Sequence, residues 1–150
     1  MIKFGRPVPV DVETRLPQLV EALAKDDRIE VVWLFGSRAR NEADALSDVD
    51  LAVLASATQN ASALWDAQIE WTVLAVETLG TDEVAVQALN RLPVALRAPI
   101  LRDARLLWSR SPELAADFAG TTLKAYLDFK PSLDRYDRDL LRQAATGSLR

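Results

Sequence analysis

"LFGSRARNEADALSDVDLAVL", residues 34–54, is the stretch on which the reading of this chain turns. The apolar run that begins at Ile29 reaches Phe35 and stops at Gly36-Ser37. After ten intervening residues Asp48-Val49-Asp50 opens a second apolar run that continues to Leu54. Short runs rich in β-branched and aromatic residues, bounded by Gly, Ser and Asn, read as buried strands. On a strand, Asp48 and Asp50 at i and i+2 leave the same face roughly 6.5–7 Å apart. Carboxylates that close repel unless something positive lies between them. The spacing suits oxygen ligands of a divalent ion, and Mg2+ takes one or two carboxylates together with substrate phosphates.

Gly36-Ser37 supplies the complementary half. A strand that ends in Gly-Ser and passes directly into a helix presents backbone N–H groups which, with the Ser37 hydroxyl, make a phosphate cradle. Gly36 lets the backbone approach a ligand and take any backbone angle. Arg38 and Arg40 come next and add positive charge. Taken singly, Gly-Ser is an ordinary turn and Asp-x-Asp an ordinary solvated cap. Their combination, each half on a predicted strand, is far rarer by chance. It describes a nucleoside triphosphate site, with Gly36, Ser37 and Arg38 on the nucleotide and Asp48 and Asp50 on the metal. The metal would neutralise charge developing at the reacting phosphorus.

Composition narrows the chemistry. The chain has 150 residues, 49% of them hydrophobic, enough for the core of one domain. A net charge of −4 argues against a nucleic-acid-coating protein or a membrane-surface helix. No apolar run approaches the roughly 18 residues of a membrane span. "MIKFGRPVPV" has no apolar core of a signal peptide, so a cytoplasmic location is expected. The chain has no Cys and no His, which removes disulfides, thiolates and imidazole. Acid–base and metal work therefore falls to Asp and Glu.

Around the central stretch, strand and helix patterns alternate. Val12, Leu16, Leu19, Val20 and Leu23 recur at helical steps between Asp11 and Lys25, although Pro17 suggests a start later than Asp11. "SRAR" reads as a helical turn and "NEADALS" as a loop. Ala61 to Leu79 is helical, with Trp65, Ile69, Thr72, Val76 and Leu79 expected on its inner side and Gly80 ending it. Further strands are expected over Glu83–Leu89 and Leu106–Trp108, separated by a helix opened by Pro93. From Ser111 a tail shows a helical stripe of Leu114, Phe118, Thr121, Ala125 and Phe129. Pro131 should break or kink it before Leu133, Tyr136 and Leu140 resume the pattern. These patterns predict an α/β (α+β) fold: a small mixed β-sheet with helices packed mainly on one side, plus a C-terminal helical tail. Residues 1–110 form the core and 111–150 a helical extension of the same domain.

Gly36-Ser37, ten residues, then Asp48-Val49-Asp50 resembles the signature of the nucleotidyltransferase superfamily that includes DNA polymerase beta. The length is similar to that of its minimal branch (MNT). "ALNRLPVALRAPILRDARLL" and "TLKAYLDFKPSLDRYDRDLL" look like the antitoxin members of that branch, which are encoded beside a HEPN-domain RNase toxin. The resemblance spans about Glu30 to Leu141. It implies a nucleotidyltransferase fold, Mg2+ as cofactor, ATP as substrate, and transfer of AMP onto a tyrosine hydroxyl of the HEPN toxin, which silences it. It also implies a hetero-oligomer with that toxin, with no membrane and no direct nucleic-acid contact.

One position departs from the pattern. The superfamily carries a third carboxylate on a later strand, where it ligates a metal and helps deprotonate the attacking hydroxyl. Counting back from Leu89-Asn90-Arg91, that residue falls on Ala85, which has no ligand. Glu83 is the nearest substitute on the same face, so the expected catalytic set is Asp48, Asp50 and Glu83. Asp82 faces the other way unless a bulge shifts the register. Two alternatives stay open: a catalytically weak, nucleotide-binding antitoxin that inhibits its toxin by contact, and a small-molecule nucleotidyltransferase. Enzymes of the last kind usually need a larger acceptor domain. Trp33, Trp65, Trp71 and Trp108 are read as core rather than base-stacking, Asp66 and Glu70 as a solvated face, and Asp44 as a surface residue between the motifs.

Overall fold

The computed structural model describes residues 5–40 and 48–146. Helix α1 (Val12–Ala24) leads into strand β1 (Ile29–Phe35), and β2 (Val49–Ala55) into helix α2 (Ala61–Leu79). Strand β3 (Val84–Ala88) runs through a short 3-10 turn, Leu89–Arg91, to helix α3 (Val94–Asp103). Strand β4 (Arg105–Ser109) then precedes helix α4 (Pro112–Thr146). The four strands form one mixed sheet in the order β3-β2-β1-β4, in which only β2 and β3 are parallel.

The strands lie where their apolar runs place them. β3 is shorter than expected because Leu89 leaves it for the 3-10 turn. Asn90 in that turn replaces a missing strand partner: its amide oxygen accepts from the Ala55 N–H (2.8 Å) and its amide nitrogen donates to the Ala55 carbonyl (3.0 Å). Gly80 ends α2 in the left-handed conformation, as its position predicts.

The larger core cluster lies under α1 and α2. Leu16, Leu19 and Leu23 of α1 and Leu64, Trp71 and Leu79 of α2 meet Val32, Leu34, Leu51, Val53 and Val86 of the sheet. That is the expected main layer. A second, smaller cluster covers part of the opposite face, where Val31, Trp33 and Ala52 meet Leu89, Ala115 and Phe118. Trp33 and Phe118 have ring centroids 6.0 Å apart.

Three helical expectations need correction. The inner face of α2 is Leu64, Ala67, Trp71, Ala75 and Leu79, whereas Trp65, Ile69 and Val73 are about half exposed. α2 carries apolar residues almost all round, so its period did not single out one stripe. α1 begins at Val12, one residue after Asp11 as expected, yet carries Pro17 in its second turn, past the first turn where Pro is best tolerated. α4 runs unbroken through Pro131. Residues 127–132 are exposed, so water can take the carbonyl left without a donor by the missing N–H. Glu70 is not simply solvated: it pairs with Arg28 at 2.8 Å. Trp33 and Trp71 are core, as read; Trp65 lies outside, with the Arg91 guanidinium 4.2 Å from its ring centroid.

Candidate active site

Three backbone positions line up across the sheet where β1 ends and β2 and β3 begin. Phe35 pairs with Asp50 in the antiparallel β1–β2 ladder, and Asp50 pairs with Ala85 in the parallel β2–β3 ladder. Ala85, the position at which a third carboxylate is expected from the sequence, is therefore the direct neighbour of Asp50. Ala85 is solvent-exposed there, with the buried Val84 and Val86 on either side pointing to the core. Val49 is likewise fully buried, so Asp48 and Asp50 lie on the side away from the main core layer. Asp50 is half-buried and Asp48 exposed.

Gly36 closes this row on the β1 side. Its φ is +76°, in the region that favours glycine, and a Cβ there would sit 2.6 Å from the Asp50 Oδ2. The backbone at the end of β1 thus packs directly against the carboxylate. Beyond Gly36 the chain forms a turn rather than the expected helical start: Ala39 N–H donates to the Gly36 carbonyl at 3.1 Å, and residues 37–40 are turn. Ser37 is half-buried and Arg38 is buried. A tight turn of this kind can still present successive N–H groups to an anion. Asp44 falls in residues 41–47, outside the described residues.

Burial, and after it the negative charge of Asp48, pushes the Asp50 carboxyl above its ordinary value. A pair held in this way gains most from a cation that both oxygens can share. The donor chemistry, hard carboxylate oxygen in a chain without His or Cys, fits Mg2+.

Glu83 stands one strand step before Ala85. The β2–β3 ladder keeps step from Val49–Val84 to Val53–Ala88, and the Val49 N–H donates to the Glu83 carbonyl at 3.0 Å. Backbone pairing thus reaches Glu83 and sets it next to Asp48. Among the described residues no group of three or more acidic side chains gathers as a metal site. The bulge that would have turned Asp82 inward is absent from this ladder. Asp82 instead accepts from the Arg6 N–H, and this hydrogen bond holds its carboxyl below its ordinary value. The Arg6 clasp escaped sequence reasoning, because partners 76 residues apart leave no local pattern.

A profile described as "Polymerase beta, Nucleotidyltransferase" matches residues 17–113. The chain belongs to the polymerase beta nucleotidyltransferase family. Among solved structures, a chain of a toxin–antitoxin complex with AMP-PNP superposes with a TM-score of 0.68 at 21% identity, over 86% of this chain and 98% of the other. A chain of the Shewanella oneidensis complex of a tri-AMPylated HEPN toxin with an MNT antitoxin gives a TM-score of 0.67 at 19% identity, over 87% and 98% of the two chains. This nucleotidyltransferase therefore has the fold found in those complexes. No curated protein matches the chain. Among the described residues no helix is long and apolar enough to cross a membrane.

Proposed function

We propose that this nucleotidyltransferase is an antitoxin that, with Mg2+, transfers AMP from ATP to a tyrosine of a partner HEPN RNase toxin and so neutralises it. The observation that carries the reading is the row of Gly36, Asp50 and Ala85 with Asp48 beside it, on a fold shared with chains of toxin–antitoxin complexes. One of those complexes holds AMP-PNP and another a tri-AMPylated toxin, which supports ATP as the substrate and the toxin as the acceptor.

Bound Mg2+ would supply Lewis-acid stabilisation of charge on the phosphates. Asp48 and Asp50 would hold it. Ser37 and the backbone N–H groups after Gly36 would orient the phosphates, and Arg38 would add positive charge there. Glu83 would take the proton of the tyrosine hydroxyl as its oxygen bonds to the α-phosphorus. The bond from that phosphorus to the β-phosphate bridging oxygen breaks, and pyrophosphate leaves. α4, about 50 Å long at 1.5 Å per residue, leaves Leu127, Phe129, Tyr136 and Leu141 exposed beyond the sheet and would serve as the docking arm for the toxin. The core over 1–110 and the extension over 111–150 would then divide chemistry from partner binding.

A second reading is favoured by one observation: Ala85 stands where a third carboxylate would face Asp50. In that reading the chain binds Mg-ATP but inhibits the toxin by contact alone. Intact mass separates the two. The protein, its HEPN partner, ATP and Mg2+ are incubated, and the toxin is weighed. Added AMP masses (about 329 Da each, from the chemistry of the group) support transfer; an unmodified but inhibited toxin supports contact.

A further inference from the structure

Glu83 does not stand on regular structure. It lies between Gly80, which ends α2, and Val84, which opens β3, and its placement depends on an N-terminal segment remote in sequence. The Glu83 N–H donates to the Thr81 hydroxyl at 3.0 Å, and that hydroxyl donates to the Arg6 carbonyl, also at 3.0 Å. The Arg6 carbonyl accepts a second hydrogen bond from the Asp82 N–H (3.1 Å). In return the Arg6 N–H donates to the Asp82 carboxylate, and the Arg6 guanidinium reaches its other oxygen at 3.5 Å. Thr81 is fully buried, although its side chain is polar. Gly5 enters the clasp at φ +85°, and a Cβ there would lie 2.6 Å from the Asp82 Oδ2. Both backbone groups of Glu83 are thereby engaged, its N–H by Thr81 and its carbonyl by Val49, the residue between Asp48 and Asp50.

We infer that Thr81, with Arg6 and Asp82, is a positioning residue for AMP transfer: the clasp fixes the turn that sets Glu83 next to Asp48 just before β3. The inference rests on the proposed role of Glu83. None of the three touches the reacting atoms. Their effect is to restrict the backbone from which a long, mobile carboxylate must reach the acceptor hydroxyl, and small misplacements of a catalytic group cost rate steeply. Without the clasp Glu83 would sample more positions, lowering turnover without touching the residues assigned to ATP.

The test measures kcat and KM for ATP in transfer to the HEPN partner, using the full chain. Thr81→Val removes the hydroxyl and keeps the shape. It should lower kcat by about three- to tenfold, the worth of one hydrogen bond, with KM for ATP unchanged. Thr81→Ser should restore it. Asp82→Ala, at an exposed position, should lower kcat in the same direction and covers the case in which the buried Thr81→Val fails to fold. Glu83→Gln serves as the reference. If Glu83→Gln abolishes transfer while Thr81→Val and Asp82→Ala keep wild-type kcat, or if Thr81→Ser does not rescue Thr81→Val, the clasp is structural only and the inference is overturned. If Glu83→Gln transfers as well as wild type, or wild type transfers nothing, the reading of Glu83 fails and takes the inference with it.

Discussion

The carboxylate of Asp50 occupies the space into which any side chain at residue 36 would project: a Cβ on Gly36 would lie 2.6 Å from its Oδ2. Gly36 is therefore part of the site's geometry as well as a turn residue. Gly36→Ala must either displace Asp50 or give up φ +76°, which an L side chain adopts only at a cost. It should destabilise the fold by about 1–3 kcal/mol and weaken Mg-ATP binding by at least about tenfold, or about 1.4 kcal/mol. Thermal melts and calorimetry read the two effects separately. Wild-type binding in Gly36→Ala would show that the close approach does not shape the site.

Ala85 pairs with Asp50 and is exposed, so Ala85→Asp has room for its side chain. It would set a third carboxylate beside Asp50 and should raise the rate of the proposed transfer, with more AMP per toxin at fixed time by intact mass. In the absence of metal it should lower stability, because it sets a like charge beside a carboxyl already pushed up by burial and by Asp48. A variant no faster than wild type would mean that position 85 no longer limits the chemistry.

Asp26 anchors α2 to the turn before β1. It accepts from Arg28 (2.7 Å) and from the Trp71 indole N–H (2.9 Å), and Arg28 also holds Glu70 at 2.8 Å. The Arg28 hydrogen bond is the main cause that lowers the Asp26 pKa from 3.8 to about 2. A carboxyl with a depressed folded-state pKa stabilises the fold above its unfolded value and loses that contribution as pH falls through the folded one. Asp26→Asn should therefore cost about 1 kcal/mol at neutral pH, solvent around this partly exposed pair screening the interaction. The gap to wild type should close between pH 3.8 and about 2. Denaturant melts across that range check it; a gap independent of pH would assign the loss to packing.

How much of this was legible in the sequence depends on the range of each interaction. Asp48 and Asp50 are two residues apart on an apolar strand, so a period of two placed both on one face. Counting back from Leu89-Asn90-Arg91 puts the expected third position at Ala85, which pairs with Asp50 in the parallel ladder. The inward face of α2 was missed by one residue, because Trp65, Ile69 and Val73 are as apolar as the residues that are buried. Of the stripe expected on α4, Leu114 and Phe118 pack on the second cluster, but the buried residues are Ala115 and Thr122. The Arg6–Thr81–Asp82 clasp had no sequence signal, since it depends on which backbone carbonyl meets which hydroxyl across the fold.

The outer half of α4 carries little of the core. Among its described side chains from Leu127 to Gln143 all but Leu140 are exposed. Deleting residues 131–150 should leave the melting temperature of the domain within a few degrees of wild type, as expected for surface segments. It should abolish capture of the HEPN partner. A truncated chain that unfolds would assign the segment to the core, and one that captures the toxin as before would remove it from the interface.

Whether the chain transfers AMP or only binds Mg-ATP, Asp48 and Asp50 are the residues proposed to hold the metal nucleotide. Calorimetry of ATP into wild type and Asp50→Asn, each with Mg2+ and with EDTA, tests that most directly. Binding to wild type should require Mg2+ and weaken by at least about tenfold, or about 1.4 kcal/mol, in Asp50→Asn. The metal-free variant should melt higher than wild type, because the substitution removes a charge that burial and Asp48 both disfavour. Equal, Mg-independent affinity in both proteins would contradict that assignment.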